Sequence, residues 1–485
     1  VRLRHFTIRS GDGLTAGTDS ARLAPMLAIQ VGERLSEEAV RASQDTILFV
    51  LRKHGHARAR VEVETRIDTA AREGEVHFTL YPGRVCVFGS TEVRGLKRIS
   101  REVVRREFRY EEGDGFSPTK LLETRRRIYR LELFSTAIVE VDTHVSGVVL
   151  PVRIQVQEGR RYRLRLGIGY DSDEWARGQV EWTDRNFLGR GRRLQALGKV
   201  SQVLRTANVR LFWPHFPYDP TDVIIGPRWQ LEIEKAYQLE TIGFSNALLA
   251  EPLRYVTLRF LHELGYARRY GVPDTTGAPP SRYPRSIEAV GFFWDTRDNP
   301  LFPRKGHLVG IELSEQGLFW KTEMRWAKGI LSGVIAHPVT KQTIFAGKAK
   351  VEVMGPVRGE TATPIEDRFY LGGPSSVRGW PRRMLSPRSS TDIHTPIGGD
   401  AAFEMSTELR HELWGPLGVA LFCDAGYVWD KPAHVAAGDL LPSAGFGIRV
   451  RTPFGPLRTD FAWQLRPNPF GESQWNWHFS IGESF

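Results

Sequence analysis

The chain has 485 residues, of which 41% are hydrophobic and 25% are charged, and its net charge is +11. No apolar run approaches the roughly 18 residues that a membrane-spanning helix needs, so such a helix is excluded. A membrane β-barrel is not excluded, because its strands alternate lipid-facing and lumen-facing residues and the average hydropathy hides that pattern. The only cysteines are Cys86 and Cys423, which argues against a disulfide framework and against a zinc site.

Residues 1–83 carry the helical and strand patterns of a first small module. Ser36 precedes a helical run and is a suitable N-cap. Apolar residues at every second position mark the strands. We predict strands at residues 2–8, 59–63 and 75–80, and helices at residues 23–29 and 36–51.

Residues 84–160 repeat this order of elements, so a second module follows the first. Ser117 opens the longer helix of this module, as Ser36 does in the first. We predict strands at residues 84–88, 137–141 and 152–156, and helices at residues 100–108 and 117–131. The sequence therefore predicts two α+β modules of the order β-α-α-β-β, which span residues 1–83 and 84–160.

Residues 161–485 consist almost entirely of strand, turn and loop patterns. Residues 161–168 alternate basic and apolar side chains, and similar alternation returns at 253–260, 343–353 and 475–481. In a membrane barrel the polar face would line the lumen, and aromatic residues would form girdles at the membrane interfaces. At roughly 20 residues per strand with its connection, the region predicts a transmembrane antiparallel β-barrel of about 16 strands. The alternation alone also fits a large soluble β-sandwich or propeller.

One loop segment is more specific than composition. Residues 368–380 read RFYLGGPSSVRGW, and they resemble the loop signature of the BamA/TamA superfamily of outer-membrane assembly proteins. The resemblance implies a loop that folds back into the barrel, where its arginine meets an aspartate of the inner wall. The residues that match the signature are Gly372, Gly373, Ser376, Val377, Arg378, Gly379 and Trp380.

A candidate for that aspartate lies in residues 422–426, which read FCDAG. This stretch resembles the family's Phe-x-Asp-x-Gly strand, with Phe422, Asp424 and Gly426 at the matching positions. Asp424 would face the lumen and pair with Arg378. An arginine–carboxylate pair can be bidentate, and removing one partner of a buried pair costs about 3–5 kcal/mol.

Three further segments resemble the family in the same order along the chain. They are residues 184–191 (DRNFLGRG), residues 295–306 with DTRDN and PRKG, and residues 445–458 (GFGIRVRTPFGPLR). Phe485 matches the terminal aromatic residue of outer-membrane strands, whereas Glu483 departs from the apolar residue expected two places earlier. The resemblance therefore extends over the whole predicted barrel.

The resemblance implies a cellular setting and partners. The two modules would be POTRA (polypeptide-transport-associated) modules in the periplasm of a Gram-negative-type cell, and the barrel would lie in its outer membrane. The partners would be unfolded outer-membrane protein clients, membrane lipid, and periplasmic or inner-membrane accessory proteins. We expect no cofactor, metal or enzymatic activity, since no catalytic or nucleotide-binding motif is present. The basic residues are spread along the strands, which disfavours nucleic acid as a partner.

We expect a lateral seam between the first strand of the barrel, near residues 161–170, and the last strand, near residues 475–485. Client strands would pair with an exposed edge there and pass sideways into lipid with their backbone groups satisfied. Gly482 would weaken the last strand, although a simple bend explains this glycine equally well. The residues assigned to the seam are Leu164, Leu166, Phe479, Ile481, Gly482 and Phe485.

Insertion of β-barrel clients competes with a second function, which is export of polypeptides through the pore. Two-partner-secretion transporters share the superfamily, two POTRA modules and the Arg-Gly-aromatic loop. The Gly-Gly-x-x-Ser-Val-Arg-Gly form of residues 372–379 and the Gly-Pro-Leu-Arg hairpin of residues 455–458 fit BamA/TamA proteins better. A passive pore is a third possible function, but a filled lumen and client-binding modules would be unusual features of a porin.

Overall fold

The computed structural model describes residues 1–11, 20–270, 281–317, 320, 322, 324–452, 455–466 and 473–481. The chain divides into two compact units. The amino-terminal unit comprises Val1–Arg161 with Arg185–Gly191, and the barrel unit comprises Tyr162–Asp184 with Arg192–Phe485. No helix in the described ranges has the length and apolar character needed to cross a membrane.

The first module of the amino-terminal unit is a three-stranded sheet covered by helices. Its elements are β1 (Arg2–Ser10), α1 (Ser20–Leu23), a 3-10 helix (Ala24–Met26), α2 (Glu37–Lys53), β2 (Arg60–Asp68) and β3 (Glu73–Tyr81). The central strand β3 is parallel to β1 and antiparallel to β2. Helix α2 begins where Ser36 Oγ accepts a hydrogen bond from the Ala39 amide at 3.1 Å, and it buries Ile47 and Leu51 in the module's core.

The helix predicted at residues 23–29 is wrong in its second half. The short helical stretch ends at Met26, and the backbone is extended from the next residue. The amides of Ala28 and Ile29 donate to Ser43 Oγ at 3.0 and 3.2 Å. Helix α2 thus supplies the acceptor that a continued helix would have provided, which is how tertiary contact overrides the local pattern.

The second module repeats this architecture. Its elements are β4 (Val87–Arg94), α3 (Arg101–Arg105), α4 (Pro118–Arg130), β5 (Phe134–Val141) and β6 (Val149–Glu158). The central strand β6 is parallel to β4 and antiparallel to β5. The predicted strand at 84–88 starts late, at Val87, because its ladder partner β6 begins with Val149. Ser117 occupies the N-cap of α4, but its side chain makes no capping hydrogen bond.

The barrel unit confirms the predicted antiparallel barrel of about 16 strands. In the described ranges, sixteen strands close on themselves. They are β7 (Tyr162–Asp171), β8 (Trp175–Phe187), β9 (Arg192–Val200), β10 (Leu204–Trp213), β11 (Thr221–Ile233), β12 (Gln238–Leu253), β13 (Val256–Tyr270), β14 (Arg282–Asp295), β15 (Gly306–Gln316), β16 (Trp326–Pro338), β17 (Thr343–Pro356), β18 (Ala401–Glu412), β19 (Leu417–Trp429), β20 (Leu441–Thr452), β21 (Gly455–Gln464) and β22 (Trp475–Ile481).

Strand β13 shows how alternation separates the two faces of the wall. Leu264 and Tyr266 point outward and are 46% and 67% exposed. Glu263 points inward, where it pairs with Arg228 of β11 at 2.5 Å. An apolar outer face and a charged inner face are the arrangement of a membrane barrel, and they resolve the alternative of a soluble sandwich or propeller.

Candidate functional site

Residues 357–400 connect β17 to β18 and form the inner loop, which packs against the inside of the barrel wall. Long loops in compact folds are commonly functional. Apolar loop side chains join wall side chains in one buried cluster. The loop members of this cluster are Phe369, Leu371, Val377, Trp380 and Leu385.

Asp424 of β19 is fully buried and is held by Arg378 of the inner loop. The Arg378 amide donates to Asp424 Oδ2 at 3.0 Å, Nε donates to the same oxygen at 2.7 Å, and Nη2 donates to Oδ1 at 2.7 Å. The side-chain contact is therefore bidentate and charge-assisted. The structure brings together the two residues that the sequence predicts as a lock, and their functional role stays a prediction.

Two wall residues that the motifs did not indicate also bind the Arg378 guanidinium. Nη1 donates to Glu408 Oε2 at 2.8 Å, and Nη2 donates to Ser406 Oγ at 3.1 Å. The guanidinium carbon lies 3.3 Å from the centre of the Phe422 ring. Ser406 lies directly opposite Asp424 in the ladder of β18 and β19. Strand alternation places Ser406 and Glu408 on one face of β18, but only the folded loop shows which arginine they meet.

Two glycines of the predicted site allow the inner loop to touch the wall. A Cβ on Gly379 would lie 2.5 Å from Ser443 Cβ, and a Cβ on Gly426 would lie 2.8 Å from Val377 Cγ2. Real Cβ atoms do not approach other atoms so closely, so a side chain at either position would push loop and wall apart.

The remaining residues of the loop signature shape its turn. Gly372 and Gly373 have φ of +105° and +100°, which side chains disfavour. The Gly373 amide donates to the carbonyl of buried Trp380 at 2.9 Å. Ser376 Oγ accepts from the Gly372 amide at 3.3 Å and donates to Glu404 Oε2 at 2.5 Å. The signature therefore closes a compact turn and ties it to β18.

A second anchor of the inner loop was not predicted from the sequence. Arg269 of β13 pairs with Glu366 at 3.2 Å, and the Tyr283 hydroxyl of β14 donates to the same carboxylate. Trp326 Nε1 of β16 donates to Asp367 Oδ2 at 3.0 Å. No motif marks these residues, and the alternating pattern alone does not distinguish them from other lumen-facing side chains.

The last two strands also hold the inner loop. Gln464 Nε2 of β21 and Asn476 Nδ2 of β22 donate to the Gly379 carbonyl at 2.8 and 2.5 Å. His478 Nε2 of β22 donates to the Arg378 carbonyl at 2.9 Å. The loop therefore fastens β21 and β22 to the same turn that binds Asp424.

A ladder of backbone pairs joins β22 to β7 at the seam. Within the described residues, the two strands pair at two positions, Ile481 opposite Tyr170 and Ser480 opposite Asp171. By contrast, β21 and β22 pair at seven positions. Of the residues assigned to the seam, Ile481 thus takes part directly in its ladder.

The other assigned seam residues fall in different places. Leu164 and Leu166 point outward from β7 with 64% and 68% of their surfaces exposed. In the described part of the chain their backbone pairs with β8 rather than with β22, so their place in the seam stays a prediction. Gly482 and Phe485 lie outside the described residues.

An aromatic ladder crosses the seam on the outer wall. It runs through Phe461, Trp477, Phe479, Tyr170 and Trp175. Neighbouring ring centres along it are 6.0 to 6.3 Å apart, and the Phe479–Tyr170 step of 6.3 Å spans the seam itself. Side-chain packing therefore adds to the short backbone pairing between β22 and β7.

Asp173 lies in the turn between β7 and β8, beside both the inner loop and the last strand. Its Oδ1 is 3.9 Å from His478 Nδ1, and a Cβ on Gly373 would lie 2.7 Å from its Oδ2. Burial raises the pKa of the Asp173 carboxyl to about 7; Arg382 opposes this rise, and the charge of Asp171 adds to it. Ionisation of Asp173 is therefore unfavourable where the turn meets the loop.

Two family models match the chain. The model described as the Omp85 superfamily domain matches residues 186–485. The model described as a surface antigen variable number repeat, the POTRA family, matches residues 87–159. The first match covers more than half of the chain and includes the inner loop, Asp424 and β22. These matches confirm the resemblance to the BamA/TamA superfamily that the motifs indicate.

Individual proteins agree with this assignment. The outer membrane protein assembly factor BamA of Neisseria meningitidis serogroup B is 21% identical over 98% of this chain, which spans 66% of that protein. The crystal structure of BamA from Haemophilus ducreyi lacking POTRA domains 1–3 matches with a TM-score of 0.78 at 17% identity, over 99% of both chains. CdiB from Acinetobacter baumannii matches with a TM-score of 0.56 at 11% identity, over 99% of this chain and 89% of the other.

These relationships fix the location and the family. The barrel lies in the outer membrane, and the POTRA region lies in the periplasm. With its closed 16-strand barrel and the match over residues 186–485, the chain belongs to the Omp85 superfamily.

Proposed function

We propose that this chain inserts β-barrel clients into the outer membrane through the seam between β7 and β22. The observation that carries the proposal is the pairing of these strands at two positions within the described residues. Hydrocarbon offers no hydrogen bonds to an unpaired strand edge. A client strand does offer them, so it can add to the edge of β7 and move sideways into lipid.

The inner loop supports an opening on the β7 side. Asn476 and His478 fasten β22 to the loop, and Arg378 fastens the loop to β19. This part of the wall therefore moves as one body. Within the described residues, β7 and the turn after it are joined to β22 by the ladder at two positions, by hydrogen bonds between Ser172 and Phe479 and by the Phe479–Tyr170 contact. In the described part of the chain this ladder is shorter than that of β21 with β22, which pairs at seven positions, so we place the opening between β7 and β22.

We propose that residues 1–83 and 84–160 act as POTRA modules that receive unfolded clients. In each sheet the strand order leaves an antiparallel edge strand, β2 in the first module and β5 in the second. Ile67 on β2 and Ile138 on β5 are 55% and 42% exposed. An extended client segment can add to such an edge through main-chain hydrogen bonds. Accessory proteins of the periplasm or inner membrane would bind the same unit.

The proposal is tested by the folding of a client. An unfolded, radiolabelled outer-membrane barrel is added to liposomes that contain this chain and to empty liposomes. Folding is scored by heat-modifiable mobility and by protease protection. Faster folding with the chain present supports insertion, and equal rates contradict it.

The same experiment separates insertion from export through the pore. The inner loop is anchored to the wall at Glu366 and again at Arg378, so it would have to leave both anchors before a polypeptide could pass. Passage of the client into the liposome interior, together with a large ion conductance, would favour a secretion pore. Client folded in the bilayer favours insertion.

A further inference from the structure

Arginines form a row on the outer wall near the end of the strands opposite to the end at which β7 begins, where the chain arrives from the periplasmic modules. The register places Arg205 of β10, Leu231 of β11, Glu240 of β12, Arg268 of β13 and Arg282 of β14 directly opposite one another in succession. The row contains three guanidinium groups and one carboxylate, so its net charge is positive. All three arginines are exposed.

The row faces lipid and not the lumen. On β13 the neighbouring outward residue Tyr266 is 67% exposed, and successive outward residues lie two positions apart. The intervening Arg269 points inward and pairs with Glu366 of the inner loop. Arg268 therefore points away from the lumen, and cross-strand pairing places Arg282 on the same face.

The single carboxylate of the row is already engaged. Glu240 accepts hydrogen bonds from Trp229 Nε1 at 3.0 Å and from the Tyr270 hydroxyl at 3.2 Å. Among the described residues, no carboxylate lies within salt-bridge distance of Arg268 or Arg282. Like charges directly opposite on neighbouring strands repel each other. An anion between the two guanidinium groups would turn this repulsion into attraction.

The height of the row on the barrel matches the membrane interface. Arg268 lies twelve residues after Val256, the first residue of β13. At about 3.3 Å per residue and a tilt of roughly 40°, this corresponds to about 30 Å along the barrel axis. The apolar band of such barrels is about 25 Å tall and is bordered by aromatic residues. Trp229 and Tyr270 stand at the border where Arg268 lies.

We propose that Arg268 and Arg282 bind the phosphate of an anionic lipid headgroup in the outer leaflet. Guanidinium groups bind phosphate oxygens through paired, charge-assisted hydrogen bonds. Arg268 lies over the Tyr270 ring at 4.7 Å, and Tyr270 and Trp229 pack against the upper part of the lipid chains. Arg205 lies farther along the row and adds to the positive electrostatic potential at the site. The site is independent of the seam, which β7 and β22 form elsewhere on the wall.

Native mass spectrometry of the full chain released from nanodiscs tests the site. The nanodiscs contain phosphatidylcholine with a small fraction of a diphosphoryl lipid, and the retained diphosphoryl lipid is counted. The test variant is R268Q/R282Q. The matched control is R254Q, which removes an exposed arginine from the turn between β12 and β13, at the opposite end of β13. Heat-modifiable mobility verifies folding, and the single variant R282Q serves if the double variant does not fold.

Retention of the diphosphoryl lipid should fall about tenfold in R268Q/R282Q and stay unchanged in R254Q, since two charge-assisted contacts are lost. R268K/R282K should retain an intermediate amount, because lysine keeps the charge without the bidentate geometry. Equal retention in the wild type and R268Q/R282Q overturns the proposal. Complete displacement by inorganic phosphate also overturns it, because a free anion would then be the ligand.

Discussion

Arg378 and Asp424 are joined by three hydrogen bonds of 2.7 to 3.0 Å, one from the backbone amide and two from the guanidinium of the same arginine. The hydrogen bond from the backbone amide holds the loop turn in place, and the two side-chain hydrogen bonds pair the charge of the Arg378 guanidinium with that of the Asp424 carboxylate. A single wall carboxylate thus determines both the position and the electrostatics of the loop tip.

Loss of Arg378 should cost more than loss of Asp424. R378A leaves the fully buried Asp424 without its cation, and Glu408 keeps only Arg410 and Arg449, whereas D424A leaves Arg378 paired with Glu408. We expect R378A to lower the free energy of unfolding by about 3–5 kcal/mol. The double variant should cost little more than R378A, because the residues act through one contact. Urea unfolding in detergent, followed by heat-modifiable mobility, measures these values.

R410A is the matched control for this series. Arg410 pairs with Glu408 from a more exposed position, so its loss should cost less than about 1 kcal/mol. Strictly additive losses in R378A and D424A would show that the two residues do not act as a pair.

Gly379→Ala should displace the inner loop. The added methyl would lie 2.5 Å from Ser443 Cβ, and both atoms belong to short, stiff groups. Overpacking of this kind costs roughly 1–3 kcal/mol. Increased protease cleavage within residues 357–400 would report the displacement. The control is G333A on β16, where the added methyl meets nothing within 4 Å, and equal cleavage of the two variants would count against the close approach.

Asp173 should make barrel stability depend on pH. Its folded pKa is raised to about 7, so between the ordinary value near 4 and pH 7 the folded state holds a proton that the unfolded state has lost. Stability should therefore fall as pH rises through this window, by at most about 1.4 kcal/mol per pH unit. D173N, which is always neutral, should lose this slope. Unfolding midpoints measured from pH 5 to pH 8 test it, and an unchanged slope in D173N would assign the effect to another group.

Arg58 should hold the two modules together within the amino-terminal unit. Its Nε and Nη1 donate to the carbonyls of Thr143 and Gly147 at 2.9 and 2.6 Å. R58A should leave each module folded and weaken their connection, which then rests on the bond from the Cys86 amide to the Gly55 carbonyl and on Ala57, packed in the core of the second module. Small-angle scattering of residues 1–160 would show a larger radius of gyration if this excised unit folds alone, which circular dichroism checks first. R60A, which alters the adjacent strand, is the control, and identical scattering profiles would refute the prediction.

The barrel and the order of the modules could be read from the sequence because they depend on repeated local patterns. The alternation along residues 161–168 and 475–481 indicates which face of the barrel wall each side chain occupies. The length of the chain limits the number of strands. The helix predicted at residues 23–29 is wrong in its second half because Ser43, which is distant in sequence, accepts hydrogen bonds from the Ala28 and Ile29 amides. Local periodicity carries no information about such a partner.

The residues of the candidate site show the same difference between local patterns, which a sequence reveals, and tertiary contacts, which it does not. Arg378 and Asp424 can be predicted because each lies in a motif with a distinctive order of residues. Glu408 and the second anchor at Glu366 have no such motif, and their roles arise only when the inner loop is laid against the wall. Ordinary strand residues acquire a specific partner through tertiary packing, which a single sequence does not reveal.

The most direct test of the account closes the seam with a disulfide. Tyr170 and Ile481 are directly paired across it, so Y170C/I481C is made in a chain whose native thiols, Cys86 and Cys423, are replaced by alanine and serine. The control, F260C/V290C, cross-links a pair within the fully paired ladder of β13 and β14. Client folding in liposomes is measured for both variants, oxidised and reduced. Insertion through the seam predicts that oxidised Y170C/I481C loses activity and regains it on reduction, while the control stays active throughout. Full activity of the oxidised seam variant would contradict lateral opening.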